Sequence, residues 1–304
     1  MRFYRILGEA VLCLSVLASC SESVPFDEKG VQAEKVPVKF SSIPHIEVST
    51  RAVGENFEAG DELGIFAVDR IRSGSDRMLA YGNYADNVRY VFDSSVFTCV
   101  GEPIMQYKDT PLPLTYYIVY PYKAGMQPLF YFTPKTDQRQ HVDYTTSDLA
   151  FQKIATHAVE IELELEHLMS NIDIRVRGVG VDTLDFDVAF TNVVMSTYVN
   201  LNNQSVSATG DMVDEVLCER YSVTPTEARF HAIIAPQQLA QGVQNVVIIL
   251  DGVRTSLDLP GDFTLNSNSR LTLIYNYVEE SDGNVYFRFG GVEDEEQEPQ
   301  SREN

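Results

Sequence analysis

The chain has 304 residues, of which 44% are hydrophobic and 22% are charged, and its formal net charge is −21. This composition is typical of a globular protein, and the length suggests about two domains. Because a chain of this charge repels nucleic acid and anionic bilayers, we expect neither nucleic acid nor a lipid surface bound through a basic patch. The simplest interpretation of the charge is that it keeps an exported protein in solution.

The N-terminus predicts a lipoprotein signal peptide over residues 1–19. Two arginines precede an apolar stretch at residues 10–18, which is too short to span a bilayer, and the sequence LASC at residues 17–20 matches a bacterial lipobox. In such a sequence the Cys20 thiol takes a diacylglyceryl group, and the amine freed by cleavage takes a further acyl chain. Several chains make a firm membrane anchor. The alternative is an ordinary signal peptide with an incidental cysteine.

The mature chain would then keep only Cys20, Cys99 and Cys218. Since Cys99 and Cys218 are far apart in sequence, they predict neither a disulfide framework nor a metal site, and we expect both to be small buried side chains. Residues 20–36 are polar and charged and are expected to form a tether between the lipid and the fold. The protein beyond the signal peptide is expected to lie outside the cytoplasm.

Strand patterns dominate the chain from residue 36 onwards. Alternating or short apolar runs bounded by turn residues predict strands at residues 36–40, 45–48, 60–68, 88–92, 114–122, 128–134, 186–190, 229–236, 243–252, 255–259, 270–278 and 284–289. An Asp-Gly pair within residues 280–284 predicts a hairpin. Residues 147–154 are the best candidate for a short helix.

The strongest single pattern lies at residues 157–178. Within it, apolar residues alternate with glutamates over residues 159–166, which predicts one half-buried strand with a wet face. A helical period of 3.6 residues would scatter the same apolar positions around the helix. The alternation resumes at residues 172–176, where we expect a second strand.

Many strands without interleaved helices predict an all-β protein built from antiparallel β-sandwiches. The number of strands exceeds one small sandwich, so we expect two domains in series. The predicted divisions are residues 37–152 for the first domain and 153–291 for the second. The acidic residues 292–304 are expected to form a disordered tail.

The sequence offers little support for catalysis or for a cofactor. Its five histidines show no metal-binding spacing, and no nucleophile elbow, phosphate loop or dinucleotide fingerprint is present. Asp185 and Asp187 share a strand face where a calcium ion is conceivable, although a solvated strand edge is the simpler interpretation. We therefore expect a protein that is not an enzyme, without a resident metal.

One loop is a candidate recognition surface. Residues 81–90 combine Tyr81, Tyr84 and Tyr90 with asparagine and aspartate. Tyrosine rings stack on sugars or on protein surfaces, and the amides bond to hydroxyl groups, so this loop predicts contact with a glycan or a protein. The alternative is that the stretch only closes one end of a sandwich.

Several segments in a fixed order carry a family resemblance. They are LASC (17–20), TRAVGENFEAGDELGIFAV (50–68), YYIVYPYK (116–123), YTTSDLAF (144–151), VEIELELEHLMSNIDIRV (159–176) and, more weakly, FHAIIAPQQL (230–239). With them the chain resembles the fimbrillin-like surface lipoproteins of Bacteroidetes. The resemblance implies two transthyretin-like sandwich domains, a role in fimbriae or adhesion, other fimbrial subunits as partners, and no catalysis.

The resemblance also implies a processing site. In the assembling members a protease cuts after an arginine or lysine, and the departing segment leaves an apolar groove that a strand from the next subunit fills. Arg51 matches that cut site here, so the processed chain would begin at Ala52 and residues 20–51 would leave. The alternative is that Arg51 is a loop arginine in a protein that is never cut.

The position in a fibre depends on the C-terminus. Carboxylates crowd residues 293–298 and would resist burial in an apolar groove. We therefore expect a membrane-anchored surface protein at the base, at the tip or in a minor position of a fimbria, rather than a stalk subunit. Residues 271–278 remain an alternative donor strand. The competing hypothesis is a stand-alone lipoprotein of the outer membrane surface that binds a glycan or a host protein.

Overall fold

Strands account for nearly all the regular structure in the computed structural model, which describes residues 34–42, 57–107, 113–280 and 285–294. Within these ranges the helices are short: α1 (Arg70–Ser73), α2 (His141–Thr145) and a 3-10 turn at Val181–Thr183. The predicted all-β class is confirmed. The helix predicted at residues 147–154 is wrong, because the helix ends at Thr145 and a strand follows it.

The N-terminal part of the chain forms a sheet of eight strands. The first eleven strands are β1 (Lys35–Pro37), β2 (Lys39–Ser42), β3 (Glu62–Asp69), β4 (Ala85–Phe92), β5 (Val96–Cys99), β6 (Met105–Tyr107), β7 (Leu114–Tyr120), β8 (Leu129–Phe132), β9 (Ala150–Thr156), β10 (Glu160–Leu163) and β11 (Glu166–His167). The sheet has the order β10-β2-β5-β4-β3-β7-β9-β11, and β1 pairs separately with β6. We call it the N-terminal sheet.

The central strands of this sheet are buried on both faces, which explains why β3 and β7 are continuous apolar runs. One face covers a cluster that we call the N-terminal core, with Leu63, Ile65 and Tyr116 among its members. The other face carries Phe66 and Tyr117 into a second cluster, the middle core. The sheet therefore separates two hydrophobic cores.

The alternating stretch at residues 160–166 forms two strands instead of the predicted single one. Ile161 and Leu163 are buried, Leu165 is partly buried, and the glutamates are exposed, as expected. However, β10 pairs with β2 at one edge of the N-terminal sheet, and β11 pairs with β9 at the other edge. Because only two residues separate β10 from β11, the sheet must curl until its edges approach each other.

The C-terminal part of the chain forms a sandwich around a third cluster, which we call the C-terminal core. Its strands are β12 (Ser170–Arg177), β13 (Phe186–Val194), β14 (Thr197–Asn200), β15 (Ser205–Ala208), β16 (Met212–Leu217), β17 (Glu219–Thr224), β18 (Glu227–Ile234), β19 (Gln238–Leu239), β20 (Asn245–Leu250), β21 (Val253–Asp258), β22 (Phe263–Thr264), β23 (Arg270–Glu279) and β24 (Val285–Asp294). A five-stranded sheet, β17-β18-β12-β23-β24, faces a four-stranded sheet, β16-β13-β20-β21. Two small sheets, β15-β14-β8 and β19-β22, complete the described strands.

The last strand extends further than the sequence predicts. As the Asp-Gly pair indicates, β23 and β24 are antiparallel neighbours, although residues 281–284 between them lie outside the described residues. Residues 292–294, expected in the acidic tail, belong to β24. Glu293 forms ion pairs with Arg175 at 2.5 Å and with Arg177 at 3.2 Å, so this acidic residue is held in the sheet.

The strand pairing also bears on the predicted domain border. Residues 160–167, which the prediction assigns to the second domain, pair with strands of the N-terminal sheet. The described residues from Lys35 onwards belong to one compact unit with three cores. The two-domain division and its transthyretin-like topology stay predictions. In the described ranges no helix is long and apolar enough to cross a membrane.

Candidate functional site

The N-terminal segment, residues 34–42, is built into the sheet of the domain that follows it. Its strand β2 lies between β5, which runs antiparallel to it, and β10, which runs parallel. Its strand β1 pairs antiparallel with β6. Between the two strands, the Val38 amide donates to the carbonyl of Ile104 at 2.9 Å. A short segment from before Arg51 therefore completes the backbone hydrogen bonding of three other strands.

The inward side chains of the segment enter the N-terminal core. Val36, Val38 and Phe40 alternate with exposed residues, and Val38 and Phe40 are fully buried. The Phe40 ring meets Tyr90 and Tyr116 edge to face, with ring centroids 5.0 and 5.9 Å apart. Burial of each such side chain contributes about 1.5–3 kcal/mol, so these residues hold the segment in place.

The outward side chains of the segment include two lysines, and each has a partner. The Lys35 ammonium lies over the rings of Tyr107 and Tyr84, at 4.8 and 5.8 Å from their centroids. The Lys39 ammonium pairs with the Glu160 carboxylate of β10 at 3.0 Å. The exposed side of the segment is therefore matched to its surroundings by charge as well as by shape.

We call the surface that receives the segment the strand groove, which is formed by β5, β6 and β10 with Tyr90 and Tyr116 at its floor. Among the described strands, β10 pairs only with β2. Departure of the segment would therefore leave the facing edges of β5 and β10 unpaired and uncover the aromatic floor. Open strand edges beside an apolar surface are ready to pair with another chain.

The floor of the groove contains polar groups that the segment does not fully satisfy. The Tyr90 hydroxyl accepts the Ile104 amide at 3.0 Å, and burial raises the pKa of Tyr90 to about 12. The Tyr116 hydroxyl donates to Oε1 of Gln106, a buried residue that faces Val36 in the strand register. Nε2 of Gln106 has no hydrogen-bond partner in the described structure. An unsatisfied buried amide costs about 1–3 kcal/mol, so the segment is an imperfect occupant.

The three tyrosines predicted to form one recognition loop lie in different surroundings. Tyr90 is buried in the groove floor, and Tyr84 donates its hydroxyl to the carbonyl of Met105 beside Lys35. Tyr81 is 74% exposed and its hydroxyl accepts a hydrogen bond from Gln127. Because Tyr90 is buried, a surface ligand cannot touch all three rings, and the recognition loop stays a prediction for Tyr81 and the partly exposed Tyr84. Cys20, Arg51 and Ala52 lie outside the described residues.

The family resemblance implied that the departing residues 20–51 would leave an apolar groove, but sequence reasoning did not identify the residues that line it. The signal was nevertheless present. In the sequence KVPVKF, apolar residues alternate with lysine or proline, and a period of two places the lysines together on the outer face. The groove side had a weaker signal, since β5 and β6 are only four and three residues long.

A second constellation joins α2 to the five-stranded sheet, and we call it the histidine cluster. The buried Glu219 carboxylate lies 2.9 Å from Nδ1 of His141 and 2.9 Å from Nε2 of His231. The His231 ring is stacked between Tyr144 and Tyr221, with centroid distances of 3.5 and 4.2 Å. These contacts fix α2 onto β17 and β18.

Charges set the protonation of this cluster. Burial alone would raise the pKa of Glu219, but the hydrogen bonds and charges of His231 and His141 hold it below its ordinary value. Burial lowers the pKa of His231, and Glu219 offsets this effect only in part. Burial would also lower the pKa of His141, but Glu219 and Glu58 outweigh it and raise the pKa. Near neutral pH the cluster therefore favours an ionised Glu219 with a neutral His231.

The remaining candidates do not assemble into a site. The described residues contain no group of three or more His, Cys, Asp or Glu side chains able to hold a metal ion. Asp187 pairs with Arg139 at 3.2 Å, and Asp185 lies 3.8 Å from Arg220, as solvated strand-edge residues do. Cys218 is a buried free thiol, while Cys99, expected to be buried, is partly exposed.

One family model matches most of the chain. The fimbrillin-like family model matches residues 50–285. Among solved structures, a proposed cell adhesion protein of Bacteroides ovatus is 17% identical with a TM-score of 0.64, covering 88% of this chain and 100% of that one. A second one, from Bacteroides uniformis, is 15% identical with a TM-score of 0.59, covering 86% and 98%. A search of the curated proteins found no match.

At these identities the two structures establish a shared fold, and the family model covers most of the chain. The fold that it matches is the all-β architecture described above, and the match begins at residue 50, beside Arg51. The strands that fill the groove lie before the matched region. The chain belongs to the fimbrillin-like family.

Proposed function

We propose that this protein is a non-enzymatic surface lipoprotein that takes part in fimbriae and cell adhesion, and that its strand groove is the assembly site. The observation that carries the proposal is the N-terminal segment, which precedes Arg51 in sequence and yet completes the N-terminal sheet. Cleavage after Arg51 would break the covalent link between this segment and the rest of the chain, so that the segment could leave. A strand from another subunit would then occupy the groove by donor-strand exchange.

The contacts of the segment suit this role. Val38 and Phe40 keep the groove filled during export, so the apolar floor is not exposed prematurely. Once the chain is cut, only noncovalent contacts hold the segment, and the unpartnered amide of Gln106 weakens them. A strand that pairs better can then replace it, because both strands make the same backbone bonds and differ in their side chains.

The proposed location is the cell surface: Cys20 holds the uncut protein at the outer membrane, and cleavage after Arg51 releases the protein from this lipid anchor into the fimbria. Residues 285–294 form β24, the edge strand of the five-stranded sheet, where Glu293 is paired with two arginines. Donation of this strand to another subunit would break those ion pairs and bring carboxylates to an apolar groove. These contacts support a place at the base or the tip of a fimbria, with other fimbrial subunits as partners.

A second candidate function is the binding of a glycan or a host protein by a stand-alone lipoprotein. Its support is an exposed aromatic pair on the small sheet of β8 and β14, where Tyr131 and Tyr198 are 64% and 39% exposed with centroids 5.3 Å apart. A glycan array addresses this candidate. Binding that is lost in Tyr131→Ala and retained in Tyr286→Ala, a change of an exposed tyrosine of β24, would support it. The absence of any hit would rule out glycan binding.

The assembly proposal is tested by locking the segment to the groove. Ser41 and Val96 are register partners across β2 and β5. Cα atoms of antiparallel partners lie about 4.5–5.5 Å apart, within the range of a disulfide. We expect Ser41→Cys with Val96→Cys, in a Cys99→Ser background, to leave Arg51 cleavage intact and to abolish fibre incorporation until reductant is added. Fibres on producing cells are counted by electron microscopy.

The matched control is a disulfide of the same kind that does not touch the segment. Tyr198 and Ser207 are register partners across β14 and β15, and both are exposed. Cysteines at these two positions should leave assembly unchanged under oxidising conditions. Equal assembly of the locked and control proteins before reduction would show that the segment need not leave the groove.

A further inference from the structure

The outer rim of the strand groove carries specific chemistry for two basic side chains. Glu160 contacts Lys39, and the rings of Tyr84 and Tyr107 lie under the ammonium of Lys35. Lys35 begins β1 and Lys39 begins β2, four residues further along the same extended segment, and both side chains are exposed on its outer face. The groove thus has two sites that each receive a basic side chain. One site is the carboxylate of Glu160, and the other is formed by the rings of Tyr84 and Tyr107.

The surroundings of Glu160 strengthen its preference for a basic side chain. Glu160, Glu162, Glu164 and Glu166 are all exposed along β10 and β11, and the whole chain carries a net charge of −21. Charges on a surface steer an incoming chain of opposite sign and slow one of the same sign. A strand with carboxylates on its outer face would meet like charges along the entire length of β10.

The C-terminal strand of a second copy is such a strand. Its residues 293–296 are Glu-Asp-Glu-Glu, and Glu293 is already paired with Arg175 and Arg177 in its own sheet. Insertion into the groove of another copy would exchange those attractive contacts for repulsion from β10. The C-terminal strand is therefore a poor donor for the groove of a second copy.

We propose that the strand groove selects a donor strand from a different, less acidic subunit, one with lysine or arginine at the positions of Lys35 and Lys39 and apolar side chains at those of Val36, Val38 and Phe40. This inference rests on the proposed exchange of strands and names its partner. The selection is against a second copy of this chain. The protein is then an acceptor in a mixed fibre and does not polymerise with itself.

The test uses the full chain with a site-specific protease sequence placed after Arg51, cut after folding. Fluorescent peptides of residues 34–42 are offered as competitors for the resident segment, and binding is followed by fluorescence anisotropy. We compare the natural peptide, its Lys39→Glu form, its Lys35→Met form and a peptide of residues 285–296. Each is measured on the natural protein and on Glu160→Lys, with Glu164→Lys as a control of equal charge change beyond the end of β10.

At low ionic strength we expect the Lys39→Glu peptide to bind about three- to tenfold more weakly than the natural one, in line with exposed charge pairs beside an acidic rim. Glu160→Lys should reverse this order, whereas Glu164→Lys should not, and added salt should shrink the difference. The Lys35→Met peptide should bind about two- to fivefold more weakly. The peptide of residues 285–296 should not compete.

The outcomes distinguish a failure of charge selection from a failure of the proposed strand exchange. If the natural peptide never enters the cut protein, strand exchange itself is wrong. If the natural peptide enters, and the Lys39→Glu peptide binds equally well on all three proteins, exchange stands and charge selection is overturned. Binding of residues 285–296 as tight as that of residues 34–42 would overturn the exclusion of a second copy.

Discussion

Replacing Phe40 by alanine is expected to destabilise the intact protein by about 3–5 kcal/mol. The ring is completely buried and packs edge to face on Tyr90 and Tyr116, and large-to-small changes of buried aromatic residues cost this much. Chemical denaturation of the uncut chain measures the loss. In the cut chain the same change should speed release of the segment, because Phe40 is its main apolar contact.

The matched control for Phe40 is its neighbour. Lys39 is exposed on the same strand and makes only a surface ion pair, so Lys39→Ala should change the free energy of unfolding by less than about 1 kcal/mol. A loss below about 1 kcal/mol for Phe40→Ala would contradict the account. It would mean that the segment rests on the sheet without filling the groove.

Replacing Glu219 by glutamine is expected to cost about 1.5–3 kcal/mol at neutral pH, the range for buried hydrogen bonds to charged groups. The carboxylate bridges His141 and His231, and an amide would keep the shape and lose the charge. Unfolding is followed in urea. The control Glu162→Gln changes an exposed carboxylate of β10 and should have almost no effect.

The pH dependence of this effect has a defined sign. Because the pKa of Glu219 is lowered in the folded protein, its contribution is fully present above its ordinary pKa and is lost as the pH falls through the folded value. The difference between wild type and Glu219→Gln should therefore shrink on acidification. A difference that is constant from pH 8 to pH 3 would show that the charge of Glu219 is not what matters.

The histidines contribute in opposite directions. The lowered pKa of His231 means that the unfolded chain binds its proton more readily, so stability falls as the pH drops below the ordinary histidine value. The raised pKa of His141 stabilises the fold below that value, and this contribution is lost as the pH rises through the folded pKa. The groups facing the two rings also include Glu58, Asp173 and Arg270.

The hydrophobic pattern predicts the all-β class well, because it identifies strands and shows which of their faces are buried. The glutamates of residues 160–166 mark the outer face of β10 and β11, and the apolar runs at residues 62–69 and 114–120 mark strands buried on both faces. It could not predict that β10 and β11 lie at opposite edges of one sheet. Along residues 160–166 the apolar side chains face the core and the glutamates face the solvent. The alternating pattern therefore does not reveal that the two strands pair with different neighbours.

The site was less predictable than the fold. Tyr90 belongs to an alternating strand, so its inward position could be read from residues 88–92, but its contact with Phe40 joins segments 50 residues apart. The partners of Lys35 and Lys39 are more distant still in sequence, at Tyr107 and Glu160. Such contacts depend on topology, which local patterns do not contain. The strand β9 was missed because its serine and aspartate neighbours are typical of a helix start.

The most direct test of the central claim is the N-terminus of the protein that is present in fibres at the cell surface. Fibres are sheared from cells, and the peptides of this chain are identified by mass spectrometry, with the membrane fraction as the comparison. The account predicts that the fibre-bound chain begins at Ala52 and that peptides of residues 34–42 are absent from it. A fibre-bound chain that begins at lipidated Cys20 and retains residues 34–42 would contradict it.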